Sequence, residues 1–260
     1  MRSTFLLTAF LAIPLIPASA DTITILSASN VAGANADLNT WLTNNFVPGS
    51  TTDTLTTFEN DADGHYSSLS TGIGTFSTLP GGLGSTGTGT GKNQFSVLDS
   101  ADTTFNGRYN TTPGGKNWLD SNDITKLQLT TTYDSIYFFI TDVNDCGGNL
   151  SIQTADGSSA SFSKGNANGN IFFVGITGPD AIGYVQWLES NRSDGYGLDD
   201  FGIVNLPFNP PQTVPEPATW IVAACALLIV AAAVQVRERQ AARPVEPNSR
   251  ERREARRPGR

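Results

Sequence analysis

Alternation of apolar and polar residues dominates positions 21–214 and predicts a body built mainly from β-strands. Turn-forming residues separate the alternating segments at short intervals, which is typical of an antiparallel β-sandwich or jelly roll. Strands are predicted at 21–29, 53–60, 70–79, 94–99, 107–112, 124–132, 135–143, 149–163 (a hairpin), 170–177, 183–189 and 197–205.

A single helix interrupts this pattern near the start of the body. Leu38, Trp41, Leu42 and Phe46 follow one another at steps of three and four, which is helical spacing. Asn35 or Asp37 would serve as its N-cap. The fold class predicted is therefore all-β, with one short helix.

Two of the predicted strands carry further information. Residues 136–140 are apolar on both faces, so this strand should be central in its sheet. Residues 149–163 form two alternating arms around Asp156-Gly157, a pair that tolerates positive φ in a tight turn. Residues 80–93 are rich in glycine and predict a surface loop.

The two ends of the chain read as membrane-directed segments. Residues 1–20 have Arg2, an apolar stretch and a small-residue site at 18–20, so they predict a cleaved signal peptide, the alternative being an uncleaved anchor. Residues 218–236 are apolar and uncharged, and about 28 Å of helix would cross a bilayer. Arg237 and Arg239 open a tail, 237–260, with nine Arg and four Glu, which predicts a cytoplasmic end.

The predicted domain order is thus a signal peptide (1–20), an exported sandwich (21–208), a proline-rich stalk (209–217), a transmembrane helix (218–236) and a basic tail (237–260). In the stalk, Val214, Pro215, Glu216 and Pro217 precede the apolar segment. This arrangement resembles the PEP-CTERM sorting signal of Gram-negative bacteria. The alternative is a plain single-pass anchor behind a proline-rich stalk.

The resemblance implies recognition by an exosortase, cleavage near the Pro-Glu-Pro triplet, and transient residence in the inner membrane. The mature body would then reach the cell surface or the extracellular matrix. Residues 110–123, 138–152 and 193–207 also resemble segments of exported domains in this family. The last of them is similar to the closing strand of jelly-roll carbohydrate modules.

The charge of the body excludes some partners. Residues 21–214 carry 19 acidic and 6 basic side chains, a net charge of −13, which argues against nucleic-acid binding. Cys146 lies in the body and Cys225 in the predicted span, so no disulfide is expected between them. Cys146 is expected to be a small buried or half-buried residue.

Catalytic motifs are weak in this sequence, and the prediction is a protein that is not an enzyme. The segment around Gly91-Lys92 fails the phosphate-loop spacing, because Thr86 stands where a glycine is needed. His65 is the single histidine and is expected in a solvated turn. Glu59 and Glu189 are the glutamates of the body, and nothing marks them as an acid–base pair.

Calcium is the metal that the acidic residues suit, because Ca²⁺ prefers oxygen ligands. The alternative is that these Asp and Asn residues only form turns. Asp199 and Asp200 are expected to point to opposite faces of their strand. The candidate groups are Asp61 with Asp63, then Asp142, Asn144 and Asp145, then Asp194, Asp199 and Asp200.

Three functions are weighed. The first is a non-enzymatic exported protein associated with exopolysaccharide or biofilm. The second is a carbohydrate- or calcium-binding module with the same sorting signal, and the third is a secreted polysaccharide hydrolase. Trp118, Trp187 and Tyr196 lie near predicted loops, where they would either stack on sugar rings or close the ends of the core.

Overall fold

The computed structural model describes residues 20–81, 93–101, 107–191 and 193–206, together with Arg237. The predicted signal peptide, the stalk with its Pro-Glu-Pro triplet, the apolar segment 218–236 and nearly all of the basic tail lie outside these residues, as does most of the glycine-rich loop. Among helices formed by the described residues, none combines the length and apolar character required to cross a membrane.

The described residues form two antiparallel sheets packed face to face, which confirms the predicted β-sandwich with one helix. The eight-stranded sheet has the order β1-β12-β9-β14-β7-β6-β3, with β2 paired to β14 beyond the end of β7. Its strands are β1 (Thr22–Ala28), β2 (Thr51–Thr56), β3 (Gly64–Tyr66), β6 (Phe95–Asp99), β7 (Asn117–Asp120), β9 (Ser135–Thr141), β12 (Ile171–Thr177) and β14 (Gly197–Asn205).

The six-stranded sheet has the order β11-β10-β13-β8-β5-β4. Side chains on its strands alternate between buried and more exposed, as expected for a sheet with one face against the core. Its strands are β4 (Ser68–Thr71), β5 (Gly74–Thr78), β8 (Lys126–Thr131), β10 (Leu150–Thr154), β11 (Ser159–Ser161) and β13 (Gly183–Glu189).

Aromatic rings fill the space between the sheets. The rings of Phe138 and Phe201 stack with centroids 4.8 Å apart, and Trp187 meets Phe138 edge-on at 5.3 Å. The ring of Phe76 meets the ring of Phe201 edge-on, with centroids 5.2 Å apart. Such contacts add to the free energy gained by burying the rings.

The helix α1 (Val31–Asn45) covers the outer face of the eight-stranded sheet. The Trp41 ring packs on Phe173 and lies directly over Gly175, where a Cβ would collide with it. The helix starts before the predicted cap, because Asn30 accepts a hydrogen bond from Gly33 N at 2.9 Å. Asn35 lies inside the helix, so the predicted N-caps at Asn35 and Asp37 were wrong.

The strand predictions were mostly confirmed, with local errors. Strand β9 is buried throughout and lies between β12 and β14, as predicted. Strands β10 and β11 form the predicted hairpin, and Gly157 has a φ of +91°. Residues 70–79 hold the end of β4, a tight turn at 72–73 and all of β5 rather than one strand, and 107–112 form a loop.

Candidate functional site

Loops from three parts of the chain meet at one end of the sandwich. Gly197, the first residue of β14, pairs with Asp120 at the end of β7 and with Thr141 at the end of β9. The segments that adjoin these residues therefore share an edge of the molecule. We call the group formed by Arg108 and residues 120–125, 142–149, 189–191 and 193–196 the acidic end.

Arg108 is the buried cation of the acidic end. Its guanidinium lies 3.2 Å from Asp120, 3.1 Å from Asp123 and, through Nε, 3.5 Å from Asp142. The Arg108 side chain is 9% exposed and that of Asp120 is fully buried. Burial alone would lower the pKa of Arg108, but the neighbouring carboxylates raise it above its ordinary value. Arg108 is therefore charged and joins residues 120–125 to residues 142–149.

Asp142 and Asn144, two of the predicted calcium ligands, are occupied by contacts within the protein. Asp142 accepts a hydrogen bond from Gly169 N at 2.9 Å, and burial raises its pKa to about 6. Asn144 Nδ2 donates to Ser163 O at 2.9 Å, and its Oδ1 accepts from Leu150 N at 2.9 Å. Both side chains fix the course of loops.

Asp145, Cys146 and Asp194 form a second group. One ligand atom from each lies within 4.8 Å of the others. Asp194 is 2% exposed; its Oδ2 accepts from Gly148 N at 3.1 Å, whereas its Oδ1 is buried and has no hydrogen-bond partner within the described chain. Burial and the nearby Asp145 raise the pKa of Asp194 to about 7.

Cys146 is exposed, so the expectation of a buried or half-buried cysteine was wrong. It lies in the loop between β9 and β10. Although the residue is exposed, its sulfur is partly desolvated, and this, followed by the hydrogen bond with Asp145, raises the pKa of the thiol to about 11. The thiol is therefore neutral at ordinary pH.

Glu189 lies beside this group, against the same glycine as Asp194. Its Oε1 accepts hydrogen bonds from Asn149 N at 2.8 Å and Asn191 N at 2.9 Å. A Cβ at Gly148 would meet carboxylate oxygens of both Glu189 and Asp194. Gly148 therefore allows the two loops to approach closely.

Asp199 and Asp200 belong to a different network. Asp199 Oδ2 accepts from Thr111 N at 2.7 Å and Thr112 N at 3.2 Å, and Asp200 Oδ1 accepts from Thr112 Oγ1 at 2.6 Å. The prediction that they face opposite sides was wrong, because Asp200 has a φ of +52° and the strand register shifts between Asp199 and Gly202. Burial, with Asp200 second, raises the pKa of Asp199 to about 8.

The predicted calcium ligands therefore do not form one site. Asp145 and Asp194 come together, whereas Asp199 binds the loop at Thr111. Asp61 and Asp63 lie between β2 and β3, apart from the acidic end in sequence. Sequence reasoning missed Arg108, although an arginine in a body with two arginines and 19 acidic residues is a signal for a buried ion pair.

The aromatic residues considered for sugar stacking are buried. Trp118, Trp187 and Tyr196 all belong to the core, which favours their role in closing the sandwich. His65 also differs from expectation. It lies in strand β3, half-buried, with Nδ1 2.7 Å from Ser96 Oγ, rather than in a solvated turn.

A row of amides crosses the outer face of the six-stranded sheet. Gln153 is paired with Gln186, and Gln186 with Gln128, on three adjacent strands. Gln186 Nε2 donates to Gln128 Oε1 at 2.8 Å. Ser77 continues the row on β5. This amide row is uncharged and offers both donors and acceptors.

The sequence matches no protein-family model and no curated protein. Among solved structures it is similar to the N-terminal CBM22-1–CBM22-2 tandem domain of Xyn10C from Paenibacillus barcinonensis, with 12% identity and a TM-score of 0.30. The match covers 64% of this chain and spans half the length of that chain. A score this low supports no functional assignment.

Proposed function

We propose that this chain is a non-enzymatic exported β-sandwich protein that an exosortase processes at the Pro-Glu-Pro triplet. The observation that carries the proposal is the order of sequence features: an export signal, the sandwich, Val214 to Pro217, an apolar segment of membrane length, and a cluster of arginines. The mature body reaches the cell surface or the extracellular matrix, in association with exopolysaccharide.

The place where the sandwich ends supports cleavage at the triplet. Strand β14 ends at Asn205, and Pro215 follows ten residues later in the sequence. Cleavage near Pro215 therefore removes none of the described strands. The body keeps all of its pairings after the apolar segment is discarded.

The contacts of the two glutamates of the body support a role without catalysis. Glu59 Oε1 accepts from Asn110, Lys116 N and Asn117 N, and Glu189 Oε1 accepts from two backbone groups. A general acid or base must exchange its proton with a substrate. Carboxylates that hold loops in this way are poorly suited to that exchange.

Mass spectrometry of the mature C-terminus, from a Gram-negative host that carries an exosortase, tests the proposal. We expect the surface protein to end near Pro215–Pro217. Alanine at Pro215, Glu216 and Pro217 should retain the chain in the inner membrane, whereas alanine at Pro210 and Pro211 in the same stalk should not. Recovery of an intact Arg260 in most of the surface-exposed protein would reject the sorting proposal.

A second candidate function rests on the amide row. Amide side chains donate and accept hydrogen bonds without carrying charge, which suits the hydroxyls of a neutral polysaccharide. The negative charge of the body would repel an acidic polysaccharide but not a neutral one. The half-buried Tyr184 on β13 lies next to Gln186 on the same face and offers an apolar surface.

Affinity electrophoresis in gels that contain neutral or acidic polysaccharides tests this candidate. We expect retardation by a neutral polymer, and a loss of at least tenfold in affinity for Gln186→Ala and Gln128→Ala. Thr40→Ala, on the exposed side of α1, is the control and should bind normally. Equal migration of all variants in every gel would exclude the amide row as a binding surface.

A further inference from the structure

We propose that the acidic end binds one calcium ion between Asp145 and Asp194. Their carboxylates come from different loops, one after β9 and one before β14. Together with the Cys146 sulfur, their ligand atoms fall within 4.8 Å of one another. That spacing leaves room for a cation with ligands at 2.3–2.6 Å.

Asp194 gives an independent reason to expect a ligand there. A carboxylate oxygen that is removed from water and left without a donor is costly in free energy. Asp194 Oδ1 is in this state, because it is buried without a backbone donor, and the side chain beside it, Asp145, is a carboxyl that can donate only while it keeps a proton. Its other oxygen is fixed by Gly148 N, so the side chain cannot turn away without losing that bond. A cation would satisfy the unpartnered oxygen.

The charges nearby also favour a cation. Within the described chain, neither Asp145 nor Asp194 forms an ion pair with a lysine or arginine. Arg108, the cation that binds the rest of the acidic end, is engaged by Asp120, Asp123 and Asp142. Two like charges at short distance are stable only when a proton or a cation is shared between them.

The ligand types select calcium rather than a softer metal. The donors are carboxylate oxygens, which suit hard cations. A soft metal would need further sulfur or nitrogen ligands, and the group offers a single sulfur, that of Cys146. Asp145 is half-buried and Cys146 exposed, so the ion can enter from solvent and keep water molecules in its shell.

Such an ion would join the loop after β9 to the loop before β14. Glu189 lies against the same glycine as Asp194, so its carboxylate adds negative potential at the site. The result would be a cross-link at the end of a fold whose described residues contain no disulfide. Calcium should therefore stabilise the folded chain in proportion to the logarithm of its free concentration.

Isothermal titration calorimetry on the full-length protein, purified in detergent and stripped with a chelator, tests the proposal. We expect one saturable calcium site per chain, with at least tenfold weaker binding of magnesium. Asp194→Asn and Asp145→Asn should each weaken calcium binding at least tenfold. Asp53→Asn, an exposed acidic residue on β2, removes the same charge elsewhere and should leave the affinity unchanged.

Asp145→Asn and Cys146→Ser separate a calcium site from a folding defect and from a thiol site. If Asp194→Asn does not fold, Asp145→Asn carries the test, since Asp145 is half-buried and no described backbone group donates to it. Cys146→Ser should retain calcium binding. Absence of a saturable calcium site, equal effects of calcium and magnesium, or a site that binds zinc and disappears in Cys146→Ser would each overturn the proposal.

Discussion

Replacing Arg108 with methionine removes a buried cation and leaves three carboxylates at short distance from one another. Asp120 has no exposed side-chain surface, whereas that of Asp123 is 13% exposed. Methionine fills similar space but supplies neither charge nor hydrogen bonds. The change therefore tests the ion pairs rather than the packing.

The expected loss follows from the burial of each partner. Removing one member of a buried ion pair costs about 3–5 kcal/mol, because the remaining charge is uncompensated. Asp123 can regain water when Arg108 is absent, so we place the loss in the free energy of unfolding at about 3–4 kcal/mol. This is a large part of the stability of an ordinary domain, which is about 5–15 kcal/mol.

Urea unfolding, followed by tryptophan fluorescence, measures this loss. Lys116→Met is the matched control, because Lys116 pairs with Asp99 at 3.2 Å but its side chain is 60% exposed. Exposed pairs contribute about 0–1 kcal/mol, so the control should change little. Arg108→Lys, which keeps the charge but not the planar fork, should lie between the two.

A double variant separates the effect of the uncompensated charge on Asp120 from the effect of the changed side-chain volume at position 108. Adding Asp120→Asn to Arg108→Met should recover part of the lost stability, because the uncompensated charge is gone. The reasoning would be refuted if Arg108→Met cost no more than Lys116→Met. It would also be refuted if Asp120→Asn made the Arg108→Met variant still less stable.

Three other predictions concern single positions. Gly157→Val should destabilise the β10–β11 hairpin by about 1–3 kcal/mol, because φ is +91° there, and an unchanged urea midpoint would contradict this. Gly175→Ala should cost about 1–3 kcal/mol in thermal unfolding, because its Cβ would collide with the Trp41 ring, and the loss should shrink in a Trp41→Leu background. Burial raises the pKa of Asp199 to about 8 in the folded chain, against an ordinary value of 3.8 in the unfolded chain. The contribution of Asp199 to the free energy of unfolding should therefore fall as pH rises from about 4 to 8. Asp199→Asn should flatten that part of the stability profile, and an unchanged slope would count against the assignment.

Local patterns were sufficient to predict the sandwich. The apolar run at 136–140 identified a central strand because both faces of β9 are covered, by the other sheet and by α1. The turn at Asp156-Gly157 was predicted because the residues that adopt its conformation are few. Both predictions depend on neighbours in sequence.

The site was less predictable because its contacts are distant in sequence. Asp199 binds Thr111, 88 residues away, and Arg108 binds Asp142 across a different loop. Strand alternation placed Asp199 and Asp200 on opposite faces, and one residue at positive φ reversed that result. A pattern of residue types does not reveal where a strand departs from regular geometry.

If the body is exported as proposed, the position of β14 has a consequence for the order of events. It is the last described strand of the body, yet it lies inside the eight-stranded sheet and pairs with β9, β7 and β2. A body that crosses the membrane from its N-terminus therefore cannot complete this sheet until residue 205 has emerged, and pairings between distant segments form slowly. If residues 218–236 then stop in the bilayer, the sandwich completes its folding while still attached. An exosortase that cut too early would release a body in which β9 still has an unpaired edge. The membrane anchor would therefore hold the body at the membrane until β14 has paired.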